Sequence, residues 1–256
     1  SYTRITGAKD GLEACVLFFV PLGVWGEVQK MTLRNTSSEA KKFKLFSFAE
    51  WCLWNAATDM ENFQRNFSTG EVEVDGSVIY HKTEYKERRN HYAFYSVNAP
   101  IDGFDTDRET FIGLYNEFRD PQNVLAGTAG NSIAHGWSPI ASHCIEVELQ
   151  PGESKDYIFL LGYVENAQDE KFVPQAEPEL LHSGSSPIIN KAKARAMIAS
   201  LDTAAKVDAA FAQLNAYWDS LLDIFSVKSP EEKLDRMVNI WNQYQCMVTF
   251  NMSRSA

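Results

Sequence analysis

Short runs of alternating or β-rich residues cover the first two-thirds of the chain and predict β-strands. The dipeptide Asp75-Gly76 lies between two alternating runs and tolerates the positive φ of a tight hairpin turn. A second hairpin is predicted at Pro151-Gly152. The predicted strands cover 15–20, 27–34, 43–51, the two arms of 71–80, 91–97, 144–149 and 157–164.

Strands at this regular spacing, with no helices predicted between them, indicate antiparallel sheets stacked as a β-sandwich. Residues 100–142 are Gly-rich and irregular for that architecture, and we expect a functional loop there, packed on the sheet. From about 165 to 186 the composition becomes polar and rich in Pro and Ser, which predicts a domain boundary.

Helical spacing replaces the strand pattern after this boundary. One apolar stripe is formed by Val207, Ala210, Phe211, Leu214, Trp218, Leu221, Leu222 and Phe225. Ser229, Pro230 and Glu232 then supply an N-cap, a first-turn proline and a capping-box glutamate. The helix that follows is predicted to continue through Met237, Ile240, Trp241, Tyr244 and Val248. Because this apolar helix has no closing element, and the chain starts directly with strands, we expect a piece of a longer protein.

The charge and the cysteine content argue against several classes of binding partner and site. Lys and Arg number 24 against 34 Asp and Glu, so the net charge is −10 and neither nucleic acid nor an anionic membrane is expected to bind. The four cysteines form no CxxC pair or Cys/His cluster, which argues against a zinc site and a disulfide framework. Buried free thiols are predicted for Cys15, Cys52 and Cys246, in a reducing cytoplasm.

No catalytic motif is visible in the chain. No pair of carboxylates has the spacing of a general acid and base, and Asp105 and Asp107 are interpreted as turn-capping residues rather than ligands. The five histidines show no HxH or HExxH pattern, so ordinary packed or surface histidines are expected. These observations predict no metal and no cofactor.

Residues 51–69 combine aromatic rings with amides and a guanidinium, and they support two interpretations. The first interpretation is a sugar site, because indole faces stack on pyranose rings while Asn, Gln and Arg bind sugar hydroxyls. The other is a tight loop whose amides satisfy backbone groups while the Trp rings lie in the core. The sequence pattern alone does not decide between them.

The same region resembles the cellobiose phosphorylases of glycoside hydrolase family 94. The resemblance is carried by residues 50–55 (EWCLWN), 62–74 (NFQRNFSTGEVEV), 78–89 and 237–256. It is weaker at 23–26 and across 169–186. It implies an N-terminal β-sandwich (super-sandwich) at 1–166, a helical linker at 187–228 and the first helix of a catalytic (α/α)6 barrel at 229–256.

The resemblance also implies an activity and a site. Family members are homodimers that convert cellobiose and inorganic phosphate to α-glucose 1-phosphate and glucose with inversion. The general acid and the phosphate-binding residues are expected beyond Ala256, in the missing barrel, so this chain alone is predicted to be inactive. By motif, Asn55, Asn62 and Arg65 correspond to the rim of the acceptor-sugar site, and Arg65 is the strongest candidate.

Related substrates (cellodextrins, chitobiose or cellobionic acid) stay open at this point, although the match at 55–66 favours cellobiose. A second hypothesis, from another class, is a free-standing carbohydrate-binding or interaction module without catalysis. The apolar helix at the C-terminus and the strand at the N-terminus argue against it, because a free module closes both ends with polar surface.

Overall fold

A computed structural model of the chain describes residues 2–51, 70–82, 90–136, 139–174 and 188–252. The strands are β1 (Tyr2–Lys9), β2 (Leu12–Phe19), β3 (Gly26–Asn35), β4 (Lys41–Phe46), β5 (Ala49–Glu50), β6 (Gly70–Asp75), β7 (Val78–His81), β8 (His91–Val97), β9 (Gly103–Asp107), β10 (His135–Gly136), β11 (Pro139–Leu149) and β12 (Ser154–Glu165). The α-helices are α1 (Arg108–Ile112), α2 (Gln122–Ala126), α3 (Ala192–Ser200), α4 (Ala204–Leu222), α5 (Glu232–Arg236) and α6 (Gln243–Met252).

The strands form two antiparallel sheets. The larger has eight strands in the order β1-β2-β3-β12-β8-β7-β6-β10, and in the smaller β11 pairs with β4, β5 and β9. Tyr95 and Phe159 of the larger sheet share one buried core with Ile145 and Val147 of β11. The structure confirms the predicted fold class, mainly antiparallel β followed by C-terminal helices.

Two hairpin turns of the larger sheet show the backbone that their sequences require. Gly76 has φ of 59° between the paired strands β6 and β7, as predicted. Asp10 and Gly11 have φ of 51° and 76° and join β1 to β2. Positive φ at both central residues is the turn that Asp-Gly favours between twisted strands. The signal at Asp10-Gly11 is as clear as the one at 75–76, and the sequence analysis missed it.

The predicted hairpin at Pro151-Gly152 is wrong. β11 and β12 lie in different sheets, so this turn carries the chain from the smaller sheet to the larger one. The buried Asn35 holds the corner: its Nδ2 donates to the Leu149 carbonyl at 3.0 Å, and its own carbonyl accepts from Gly152 N at 2.9 Å. A turn dipeptide fixes the local reversal but not which sheet the chain enters next.

Residues 100–142 are more ordered than predicted. Within this stretch β9 and the short helices α1 and α2 precede β10, and we call residues 103–136 the insert. These helices could not be predicted from the sequence, because each has only five residues and a helical period does not show over so short a stretch.

The other face of the larger sheet is covered by residues after the polar segment. Tyr92 Oη donates to the Asn190 carbonyl at 3.0 Å, and the Lys191 ammonium lies 5.0 Å from the Tyr80 ring centroid. Lys191 also pairs with Glu73 of β6 at 2.9 Å. These contacts belong to the first of two compact units, Ser1–Val207.

The second compact unit, Asp208–Ala256, is helical. Leu214 on the predicted stripe is buried, and Phe211 and Trp218 are partly buried. The predicted capping at Ser229 is wrong by two residues: Glu231 is the N-cap of α5 and accepts from Lys233 N, while Asp235 reaches back to Ser229 N at 2.9 Å. The reason is that Ser229 Oγ accepts from Glu231 N, within the turn that precedes the helix.

A π-helical segment, Met237–Asn242, separates α5 from α6. Its Asn239 exchanges two 2.8 Å hydrogen bonds with the backbone of Val227 and so fixes the connection after α4. No helix within the described residues is long and apolar enough to cross a bilayer.

The cysteine prediction holds only in part. Cys15 is a partly buried free thiol, Cys246 is exposed rather than buried, and Cys144 is the fully buried one. The prediction for Cys246 failed because it assumed that the apolar helix α6 is covered on the face that carries this residue. Cys52 lies outside the described residues.

Candidate functional site

The three predicted sugar-site residues, Asn55, Asn62 and Arg65, lie outside the described residues, so their positions stay predictions. The structure does describe Trp51, where the 52–69 segment begins, and the side chains packed around it.

Trp51 belongs to the sandwich core. Its side chain is 6% exposed and stacks on the His81 ring, with 5.4 Å between centroids and 11° between planes. Burial lowers the pKa of His81 to about 3, with smaller contributions from His91 and Lys171, so the imidazole is neutral. For this indole the core interpretation is confirmed. The amides and the guanidinium of the segment are not tested.

An aromatic and charged cluster includes Glu50, the residue before Trp51. Glu50 Oε1 in β5 is 3.2 Å from Nε of Arg108, the first residue of α1. The Arg108 guanidinium also lies 5.0 Å from the Phe118 ring centroid, a cation–π distance. Phe118 packs edge-on against Phe48 at 5.3 Å and remains half exposed.

Arg108 and Phe118 of this cluster line a cleft of about 520 Å³. The lining residues are Arg108, Glu109, Ile112, Gly113, Leu114, Asn116, Glu117, Phe118 and Arg119. Guanidinium donors, carboxylate and amide acceptors and one aromatic face are the groups that hydroxyl-rich ligands need. The sequence predicted a functional loop at 100–142, which contains the cleft, but singled out none of the lining residues. The available signal was the density of Arg, Glu, Asn and aromatic residues at 108–119.

The insert that contains the cleft residues is held together by Asp105. Its fully buried carboxylate accepts hydrogen bonds from Asn123 Nδ2 (2.8 Å), Gly130 N (2.9 Å) and both N and Oγ of Ser132 (3.2 and 2.8 Å). Asp107 caps α1 by accepting from Thr110 N at 2.7 Å. The capping interpretation is therefore confirmed for Asp107, whereas Asp105 holds a whole loop.

Ser47 and His143 resemble a nucleophile and base by distance, with Oγ 2.9 Å from Nδ1. Both are buried between the sheets, and His143 lies against the rings of Tyr95 and Phe159. Burial lowers the His143 pKa to about 4. With no route for a substrate, we assign the pair to the core. Within the described ranges no group of three or more His, Cys, Asp or Glu could hold a metal ion.

Comparison with known proteins places the chain in a family. Residues 1–176 match the model of the glycosyl hydrolase 94 supersandwich domain, and residues 217–256 match the glycosyl hydrolase 94 superfamily catalytic domain. The first match alone covers more than half of the chain.

Curated relatives match along the whole chain. The N,N'-diacetylchitobiose phosphorylases of Vibrio proteolyticus and Vibrio furnissii are 28% and 26% identical over 100% of it. The cyclic beta-(1,2)-glucan synthase NdvB of Rhizobium meliloti (strain 1021) is 23% identical, again over 100% of the chain. The chain spans 29% of the length of each Vibrio enzyme and 8% of the synthase. By its domain match, this chain belongs to glycoside hydrolase family 94.

Proposed function

We propose that the full-length protein is an inverting disaccharide phosphorylase whose substrate is cellobiose. The observation that carries the proposal is the match of the entire chain to two curated phosphorylases of family 94. The choice of cellobiose rests on the motif at 55–66. A cleft lined by a guanidinium, carboxylates and an aromatic ring supports a sugar ligand.

In the proposed reaction, phosphate replaces the water of an inverting glycosidase. A carboxylic acid protonates the glycosidic oxygen, the bond from C1 to that oxygen breaks, and a phosphate oxygen forms the new bond to C1 from the opposite face. The products are α-glucose 1-phosphate and glucose. No redox change and no cofactor is needed. We assign the acid and the phosphate site to the catalytic domain, of which this chain carries the part matched at 217–256.

We assign the acceptor-sugar rim to this chain. Asn55, Asn62 and Arg65 would bind the hydroxyls of the leaving glucose. The cluster of Glu50, Arg108 and Phe118 would bound the same region, because Glu50 and Trp51 directly precede the segment that carries these residues. Homodimerisation through this part of the protein and a cytoplasmic location belong to the same proposal.

Replacing Arg65 with Ala tests the rim. In the synthetic direction, with glucose 1-phosphate as donor, we expect KM for glucose to rise about tenfold or more, because a hydrogen bond from a charged donor contributes about 1.5–3 kcal/mol. Arg65→Lys should recover little, since an ammonium cannot reproduce the planar fork. Arg4→Ala, on the exposed edge strand β1, is the matched control. An unchanged KM for glucose in Arg65→Ala would remove Arg65 from the rim.

Initial phosphorolysis rates of the full-length protein decide the substrate. We expect cellobiose to exceed N,N'-diacetylchitobiose, the substrate in the names of the Vibrio relatives, by at least tenfold in kcat/KM. A preference for the acetylated sugar would overturn the choice of cellobiose while leaving the reaction class intact. Saccharide binding without turnover of any disaccharide would instead support the non-catalytic module.

A further inference from the structure

An aromatic surface of unassigned role lies at the end of the larger sheet. The Trp25 and Tyr163 ring centroids are 5.8 Å apart, and the His91 ring lies 5.6 Å from that of Tyr163. We call Trp25, Tyr163 and His91 the aromatic shelf. The Trp25 side chain is 62% exposed. An aromatic side chain this exposed, beside other rings, marks an interaction surface better than a packing role.

Strand register places the shelf on the face that bears the sandwich core. Cross-strand partners share a face, and Tyr163 is opposite Ala93, which is opposite His81. Phe159 lies on the same face of β12 and is 4% exposed, whereas Tyr163 is only partly buried. The buried core therefore ends along β12 between Phe159 and Tyr163.

The same row of the sheet reaches His81, which contacts Trp51. His81 stacks on Trp51, which precedes the segment of Asn55, Asn62 and Arg65. His81, Ala93 and Tyr163 lie on three adjacent strands, so about 10 Å separates the two ends of the row.

Backbone contacts hold Trp25 in place beside β12. Tyr163 N donates to the Trp25 carbonyl at 2.8 Å, which ties the loop before β3 to β12. The next residue, Gly26, packs closely on β12, because a Cβ there would lie 3.0 Å from the Leu161 carbonyl oxygen. These contacts fix the backbone that carries the Trp25 ring.

Carboxylate and amide groups surround the rings. Tyr163 Oη donates to Glu165 Oε2 at 3.4 Å at the end of β12. Glu27, two residues after Trp25, accepts from Gln29 Nε2 at 2.9 Å. Acceptors of this kind suit sugar hydroxyls, and the acidic surroundings disfavour phosphate groups and anionic lipid.

We propose that the aromatic shelf is a saccharide-binding subsite, in which Trp25 stacks on a pyranose ring of a β-linked gluco-oligosaccharide longer than the disaccharide. Glu165 and Glu27 accept hydrogen bonds from its hydroxyls. The inference rests on the proposed function for the class of sugar. Trp25 falls within 23–26, where the resemblance to cellobiose phosphorylases is weak, so the resemblance assigns it no role.

Isothermal titration of the full-length protein with cellotetraose and with cellobiose tests the shelf. We expect Trp25→Ala to raise Kd for cellotetraose about tenfold and to change Kd for cellobiose less than twofold. Trp25→Phe, which keeps an aromatic face, should retain most of the affinity. Tyr2→Ala is the matched control, because Tyr2 is an aromatic residue 54% exposed on the edge strand β1.

The outcomes separate the subsite from the proposed function. An unchanged cellotetraose Kd in Trp25→Ala, or an equal loss in Tyr2→Ala, overturns the subsite. A changed oligomeric mass of Trp25→Ala with unchanged cellotetraose binding also overturns it, and identifies the shelf as a protein contact. If no disaccharide is phosphorolysed and cellotetraose binding still depends on Trp25, the proposed function fails while the subsite stands.

Discussion

Acidification from pH 7 to pH 4 is expected to destabilise the β-sandwich by several kcal/mol through two buried histidines. Burial lowers the pKa of His143 to about 4 and that of His81 to about 3, against 6.5 for an unperturbed histidine. Below pH 6.5 the unfolded chain binds protons that the folded chain excludes. The contribution is therefore fully present above pH 6.5 and falls by about 1.4 kcal/mol per pH unit for each histidine. The fall ends near pH 4 for His143 and near pH 3 for His81.

Hydrogen exchange of β8 and β11 peptides in the full-length protein at pH 7, 5.5 and 4.5 measures this loss locally. His143→Gln keeps a polar partner for Ser47 but cannot bind the proton, so its stability should fall about half as steeply as that of the wild type. Comparing the two proteins at each pH cancels the titration of carboxylates. Equal slopes for wild type and His143→Gln would show that His143 is not held neutral by the core.

Asp105→Asn is expected to loosen the insert by about 3 kcal/mol, whereas Asp107→Asn should cost only a few tenths. The buried Asp105 carboxylate accepts two hydrogen bonds at each oxygen, from Asn123 and Gly130 at Oδ2 and from Ser132 N and Oγ at Oδ1. An amide would place its NH2 group against one of these two pairs of donors. Asp107 only caps a short helix, and Asn caps helices equally well. The paired variants change the same chemical group two residues apart.

Exchange rates of peptides from 122–136 in the full-length protein measure this difference. Because the insert forms the cleft beside Glu50, Asp105→Asn should also raise KM for glucose in the synthetic direction, while Asp107→Asn leaves it unchanged. Similar protection of the insert in both variants would contradict the role assigned to Asp105.

The sequence predicts this fold where local signals decide the structure. Strands of alternating pattern and Asp-Gly turns depend on residues within a few positions of each other, so 71–80 and 91–97 were placed correctly. The corner at Pro151-Gly152 depends on Asn35, more than a hundred residues away. No local pattern records that contact, and the interpretation as a hairpin failed for this reason.

The candidate site also combines a part that a local motif predicts with a part that depends on distant residues. The motif at 55–65 is contiguous, so a resemblance could identify it. The pairing of Glu50 with Arg108 joins two distant segments through β5 and β9, which both pair with β11. The role of Asp105 likewise appears only once its three partner residues are brought to it. Long-range pairing of this kind builds the cleft, and sequence spacing does not reveal it.

Phosphorus and proton NMR of the full-length protein acting on cellobiose test whether this chain is part of an inverting phosphorylase. We expect α-glucose 1-phosphate in the phosphorus spectrum and free glucose in the proton spectrum to appear together in equal amounts, only when inorganic phosphate is present. Glucose release at the same rate without phosphate, or a β-configured sugar phosphate, would contradict it.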